Sequence, residues 1–153
     1  MILISIDEQM LYHRRRTGVW HEYPVSTAKN GPGNRQGSFR TPTGRHRIAR
    51  KIGDGFPLMT SFRSRIPSGV YDPERDDPKR DWILTRILWL TGCETGKNRR
   101  GTVDTLDRYI YIHGTHEEEK IGCPASHGCI RMRNADVVEL FEHTFEGERV
   151  YIR

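Results

Sequence analysis

A chain of 153 residues has the size of one domain, expected here to span residues 1–153. It has 35% hydrophobic residues and a formal net charge of +5, a lean core under a basic surface. No stretch reaches the length of a membrane span, so membrane insertion is not expected. No recognised nucleic-acid module accompanies the basic residues. They are scattered through Arg14 to Arg16, Arg45 to Lys51, Arg63 and Arg65, and Arg99-Arg100. Such scatter describes a solvated face, and its excess charge suits an anionic partner. Three cysteines make an odd count, which argues against a disulfide framework and for free thiols in a reducing compartment.

Ile2, Ile4 and Ile6 alternate on one face of a first strand, with no basic-then-apolar leader and no lipidation signal. The location this implies is the cytoplasm, or the periplasm if the first residue is the start of a trimmed chain. Asp7 to Gln9 can turn and Met10 to Tyr12 return as a hairpin. Arg14 to Gly18 suggests a second turn before Val19 to Thr27. Asn30 to Asn34 is a loop, and Thr41 to Gly44 a tight turn leading to a strand near His46 to Ile52. Gly53 to Arg80, rich in Gly, Pro, Asp and Arg, reads as short strands and loops. Trp82 to Leu90 is an apolar strand, with Trp82, Leu84, Arg86, Leu88 and Leu90 expected on one side. Asp104 and Asp107 suit capping or ion pairing. Asn134 is expected to cap a helix carrying Val137, Leu140, Phe141 and Phe145 on its buried face, and Gly147 to end it. Val150 and Ile152 belong to a last strand. The sum is a mostly β protein with one short helix.

The chemistry concentrates between Tyr109 and Asn134. Tyr109 to His113 has the β-branched and aromatic content of a strand, and alternation places Tyr109, Tyr111 and His113 on one face. Gly114 is expected to break that strand. A polar loop leads to Ser126-His127-Gly128-Cys129, a compact turn carrying a thiol. A cysteine attacks as its thiolate, and an imidazole can take its proton. Glycine at 128 lets a backbone amide approach a reacting carbonyl. The residues by themselves leave three readings open: a Cys–His catalytic pair, a buried structural thiol and imidazole, or a metal site drawn from Cys123, Cys129, His113, His116 and His127.

His113-Gly114 followed by Ser126-His127-Gly128-Cys129-Ile130-Arg131 resembles the signature of the L,D-transpeptidase catalytic domain, the YkuD-type fold. Thr41-Pro42-Thr43-Gly44 and Val25-Ser26-Thr27 resemble other segments of that family. The resemblance implies a YkuD-like β-sandwich with a short helix after the cysteine turn. It implies Cys129 as nucleophile, His113 as general base, the amides of His127, Gly128 and Cys129 as an oxyanion hole, and the Gly114 carbonyl as the group orienting the base. Arg131 stands where many members have asparagine; it and Ser126 are expected to bind substrate, Arg131 gripping a carboxylate, with a structural ion pair as the alternative for Arg131. The implied substrate is a peptidoglycan tetrapeptide or muropeptide, cut between the L-centred third residue (diaminopimelate) and D-Ala through a Cys129 thioester. No cofactor is implied. Hydrolysis of the thioester would make an L,D-carboxypeptidase of muropeptide recycling, the expectation that follows from the absent leader. The alternative is an L,D-transpeptidase forming 3–3 cross-links. The non-enzyme alternatives are a Cys/His metal-binding protein and a nucleic-acid-binding basic domain.

Overall fold

The structure is a computed structural model describing residues 1–153. The elements in chain order are β1 (Ile2–Ser5), β2 (Met10–Arg14), β3 (Trp20–Ser26), β4 (Gly44–Ile52), β5 (Thr60–Arg63), β6 (Ile66–Val70), β7 (Leu84–Gly92), β8 (Tyr111–Gly114), β9 (Ile130–Met132), helix α1 (Asn134–Glu142) and β10 (Arg149–Ile152). The mostly β fold with one short helix after the cysteine turn is as expected.

Strand order is β4-β10-β1-β2-β3-β9-β8-β7-β5-β6, and β4 also pairs with β7. Hydrogen bonding therefore runs continuously round eight strands, joining what a sandwich would divide between two sheets, and the β5–β6 hairpin extends from β7. Closure leaves few open edges. Most pairs are antiparallel, but β1–β10 and β8–β9 are parallel. A parallel pair needs a crossover rather than a tight turn. The crossover between β8 and β9 is the segment 115–129 that carries the cysteine turn.

The main core holds 18 buried residues, among them Ile2, Ile4, Leu11, Ile112, Ile130, Leu140 and Ile152. Burying each such side chain stabilises the fold by roughly 2 kcal/mol. Helix α1 lays Val137, Leu140 and Phe141 on this core. Lys51 closes its far end, Nζ donating to the carbonyls of Phe141 and Thr144, where the helix dipole favours a cation.

Local irregularities alter several expectations. In β7 the register shifts between Leu84 and Ile87, and Thr85 has φ 76°. This bulge flips the side-chain phase. Leu88 and Leu90 enter the main core while Leu84 packs with Tyr71 and Trp82 in a separate cluster. Tyr109 lies outside β8 at φ 56° and is exposed, so it does not share the face of Tyr111. Gly114 ends β8 rather than breaking it. Asn134 is the first helical residue, not the cap, and Glu118 accepts from its amide instead. Phe145 lies beyond the helix and is exposed, with the Arg16 guanidinium over its ring.

Candidate active site

Two parallel strands bring the chemistry together. Ile112 pairs with Ile130 and His113 with Arg131. Paired residues of neighbouring strands point the same way, and neighbours along a strand point opposite ways. The two isoleucines enter the core, so Tyr111, His113, Cys129 and Arg131 share the other face. Cys129 sits one residue before β9, opposite Tyr111, whose amide donates to Sγ at 3.3 Å. The thiol packs against the Phe62, Ile87 and Tyr111 cluster.

His113 is fully buried. Its Nδ1 lies 2.6 Å from the Gly114 carbonyl oxygen. A carbonyl only accepts, so Nδ1 carries the proton and Nε2 holds the lone pair. That Nε2 has no hydrogen-bond partner in the protein. Burial lowers the imidazole pKa, while the Asp81 charge and the Gly114 carbonyl oppose that shift. Burial pushes the Cys129 thiol up to about 12, against the stabilising Tyr111 amide. Both shifts favour the uncharged forms, and the thiol donates towards the Tyr109 carbonyl at 3.5 Å rather than to His113.

The turn before Cys129 is held by the segment after β3. Ala125 and Ser126 donate their amides to the Thr27 carbonyl, and Lys29 donates to that of Ser126. The Ser26 hydroxyl donates to the Cys123 carbonyl. Thr41 is fully buried; its hydroxyl accepts from the Ala28 amide and donates to the Gly128 carbonyl, both at 2.9 Å. Gly128 has φ 138°, a backbone state that side chains resist.

Three expectations change here. Ser126 is buried, and its hydroxyl is spent inside the turn, donating to the Cys129 carbonyl at 2.6 Å and accepting from the Gly128 amide at 3.1 Å. It faces no substrate space, and the Gly128 amide is engaged rather than open to an oxyanion. The amides of His127 and Cys129 donate to nothing in the protein. Arg131 is buried too: its guanidinium donates to Asp81 Oδ1 at 2.5 Å and to Glu117 Oε1 at 3.4 Å. Its fork is filled by the protein's own carboxylates, which leaves it an ion-pair partner, not a free grip for substrate. Asp81 also accepts from His127 Nδ1 at 3.2 Å. Burial alone would raise the Asp81 carboxyl; the charge that His113 gains when protonated, the Arg131 charge and the His127 hydrogen bond hold it below the usual carboxylate range.

A cavity of about 380 Å³ opens over the thiol, lined by Arg65, Asp81, Arg108, Tyr111, His127 and Cys129 among others. Arg65, at the tip of the β5–β6 hairpin, lies over the rings of Trp89 and Tyr109 and donates to the Tyr111 hydroxyl. The five residues of the metal alternative are not gathered: no three His, Cys, Asp or Glu side chains come together as a ligand set. His116 instead contacts the Pro78 carbonyl at 2.7 Å, and Cys123 is an exposed free thiol.

The sequence model of the L,D-transpeptidase catalytic domain, YkuD, matches residues 1–152. The chain belongs to that family. Among curated relatives, the Salmonella typhimurium protein named Probable L,D-transpeptidase ErfK/SrfK is 47% identical over an alignment covering 63% of this chain and 39% of that protein. The Escherichia coli protein named Probable L,D-transpeptidase YbiS is 47% identical over 29% of this chain and 15% of its own length. The chain thus spans well under half the length of these relatives. Among solved structures, an L,D-transpeptidase from Mycobacterium smegmatis aligns at TM-score 0.57 with 17% identity, covering 99% of this chain and 57% of that one. L,D-transpeptidase 3 from Mycobacterium tuberculosis, in complex with a faropenem-derived adduct, aligns at 0.57 with 15% identity, over 99% and 59%. At such identities the likeness is one of fold. No helix of this YkuD-family chain is long and apolar enough to cross a membrane.

Sequence reasoning missed Thr41, Asp81 and Glu117 around this site. Thr41 lay within a motif already singled out, but only as a turn. Asp81 and Glu117 gave no signal, because each reaches Arg131 from a different loop.

Proposed function

We propose that the chain is a cysteine acyl-transfer enzyme that cuts peptidoglycan stem peptides between an L-centred third residue and a terminal D-alanine. The observation that carries this reading is Cys129 Sγ beneath the Tyr111 amide, on the same face as a buried His113 whose Nε2 is deprotonated and unpartnered. In this reading His113 Nε2 takes the thiol proton as Sγ attacks the carbonyl carbon of the third residue. The oxyanion is received by the open amides of His127 and Cys129. The C–N bond breaks, the D-alanine amine takes the proton from His113, and a thioester remains on Cys129. Gly114 keeps the imidazole in the tautomer that both proton transfers require.

For release of the thioester we propose attack by water, activated again by His113, giving a tripeptide and an L,D-carboxypeptidase. What supports hydrolysis is the charge around the cleft. Arg65 and Arg108 line the thiol cavity, and five further cations face two carboxylates in the cavity beside it. A diaminopimelate amine arrives as a cation and is repelled by such a field, while water meets no barrier. The relatives' names support the second reading, transpeptidation to a 3–3 cross-link. Trimming would suit muropeptides recycled in the cytoplasm; cross-linking would need the sacculus. Mass spectrometry of products from a diaminopimelate tetrapeptide, with wild type and Cys129→Ala, separates them. Tripeptide and free D-alanine, absent with the variant, support the carboxypeptidase. Cross-linked dimers would replace it by the transpeptidase, and an undiminished yield with Cys129→Ala would reject both.

A further inference from the structure

A second cavity, about 540 Å³, adjoins the thiol cavity, and Asp81 and His127 line both. It lies between Lys29, which follows β3, the Pro78–Asp81 segment, and Glu117 and Lys120 of the β8–β9 crossover. Its walls are polar, and its floor is the Arg131 guanidinium, buried and neutralised by Asp81 and Glu117. Lys120 is paired with Glu117, and Arg80 lies over the Trp82 ring at 4.6 Å. Lys29 and Lys79 are exposed and join none of the protein's ion pairs. One more donor is unspent: Arg131 Nε is buried without a hydrogen-bond partner.

We propose that this cavity is a carboxylate-binding subsite, in which Lys29 and Lys79 hold an internal carboxylate of the peptide stem while its scissile carbonyl lies at Cys129. The proposal rests on the reading of the chain as an acyl-transfer enzyme of stem peptides. The recognition expected of Arg131 is thereby moved outward. Arg131 is fixed and neutralised by internal partners and forms only the floor, whereas the two free lysines can close on a ligand without breaking an existing pair. The position is apt, because Lys29 donates its own amide to the Ser126 carbonyl of the catalytic turn, which fixes the root of its side chain beside a residue three positions before the nucleophile. Asp81, shared by the two cavities, keeps the far wall anchored to Arg131 and His127. Lysines also have no carboxylate-matching fork, so the subsite selects charge more than shape.

The test uses calorimetric binding to the full chain carrying Cys129→Ala, so that no turnover interferes. The probes are a synthetic tetrapeptide stem and the same peptide with its internal carboxylates converted to amides. The free-acid stem is expected to bind about fivefold more tightly than the amide, since two exposed pairs contribute about 1 kcal/mol together. Adding Lys29→Gln and Lys79→Gln should weaken the free-acid stem about fivefold and leave the amide unchanged, with affinity restored by Lys29→Arg and Lys79→Arg. Equal loss for both peptides, no loss for either, or no binding of the free-acid stem would overturn the subsite. Turnover by wild type is read separately. D-alanine release without a charge preference sinks the subsite alone. Binding with the expected preference but no D-alanine release by wild type sinks the acyl-transfer reading and leaves the subsite standing.

Discussion

The Thr41 hydroxyl donates to the Gly128 carbonyl at 2.9 Å, and so ties a turn remote in sequence to the residue before the nucleophile. The same oxygen accepts from the Ala28 amide. One side chain thus fixes the cysteine turn against the segment that follows β3. Thr41→Val keeps the shape but strands a buried amide and a buried carbonyl. The expected cost is about 2–4 kcal/mol, read by urea unfolding, with kcat falling by at least tenfold as the turn loosens. Unchanged stability and rate would show that the turn holds itself.

The acid limb of kcat/KM should lie below the ordinary histidine value. Neutral His113 is the active form, and burial lowers its pKa, so activity persists to lower pH than an exposed histidine would allow and is lost as pH falls through the shifted value. Asp81 opposes that shift. Asp81→Asn removes its charge and should move the acid limb further down, while Asp81→Glu should keep it. An acid limb unmoved in Asp81→Asn would remove the carboxylate from the electrostatics of the base.

Alkylation of Cys129 by iodoacetamide tests the resting state of the pair. With the thiol pushed up to about 12, its reaction at pH 7 should be slow and should keep rising through pH 9. A fast rate, flat above pH 6, would indicate a preformed thiolate–imidazolium pair instead.

Asn134 holds the site from behind. Its Oδ1 accepts from the Thr85 hydroxyl and its Nδ2 donates to the Thr115 carbonyl at 2.8 Å, all buried. Asn134→Ala leaves both partners unsatisfied and should destabilise the chain by roughly 2–4 kcal/mol. Gly114 packs against the same amide, and a Cβ there would lie 2.8 Å from the Leu84 carbonyl oxygen. Gly114→Ala should therefore displace β8 and cut activity sharply even if its carbonyl remains available to His113. Near-native thermal unfolding of Asn134→Ala would contradict this account of the β7 bulge.

The parts legible in the sequence were those set by local pattern. Alternation gave β1 and β10, β-branched and aromatic content gave the body of β8, helical spacing gave Val137 to Phe141, and a compact motif singled out Cys129 and His113. Partners chosen across the fold were not legible. Asn134 has the composition of a cap, but Thr85 and Thr115 recruit its side chain for the interior, and Glu118 does the capping. The partners of Arg131 could not be named because Asp81 and Glu117 lie 50 and 14 residues away. The bulge at Thr85 reversed half of a strand whose alternation seemed continuous. Ser126 is polar in a loop, yet the tightness of its turn draws its hydroxyl inward.

The central claim is that Cys129 carries the acyl group. Intact-protein mass spectrometry after brief mixing with tetrapeptide tests it most directly. The account predicts a covalent adduct equal to the tetrapeptide less D-alanine, mapped to Cys129, absent in Cys129→Ala and slow to form in His113→Ala. D-alanine released by wild type with no adduct on Cys129, or released equally by Cys129→Ala, would contradict it.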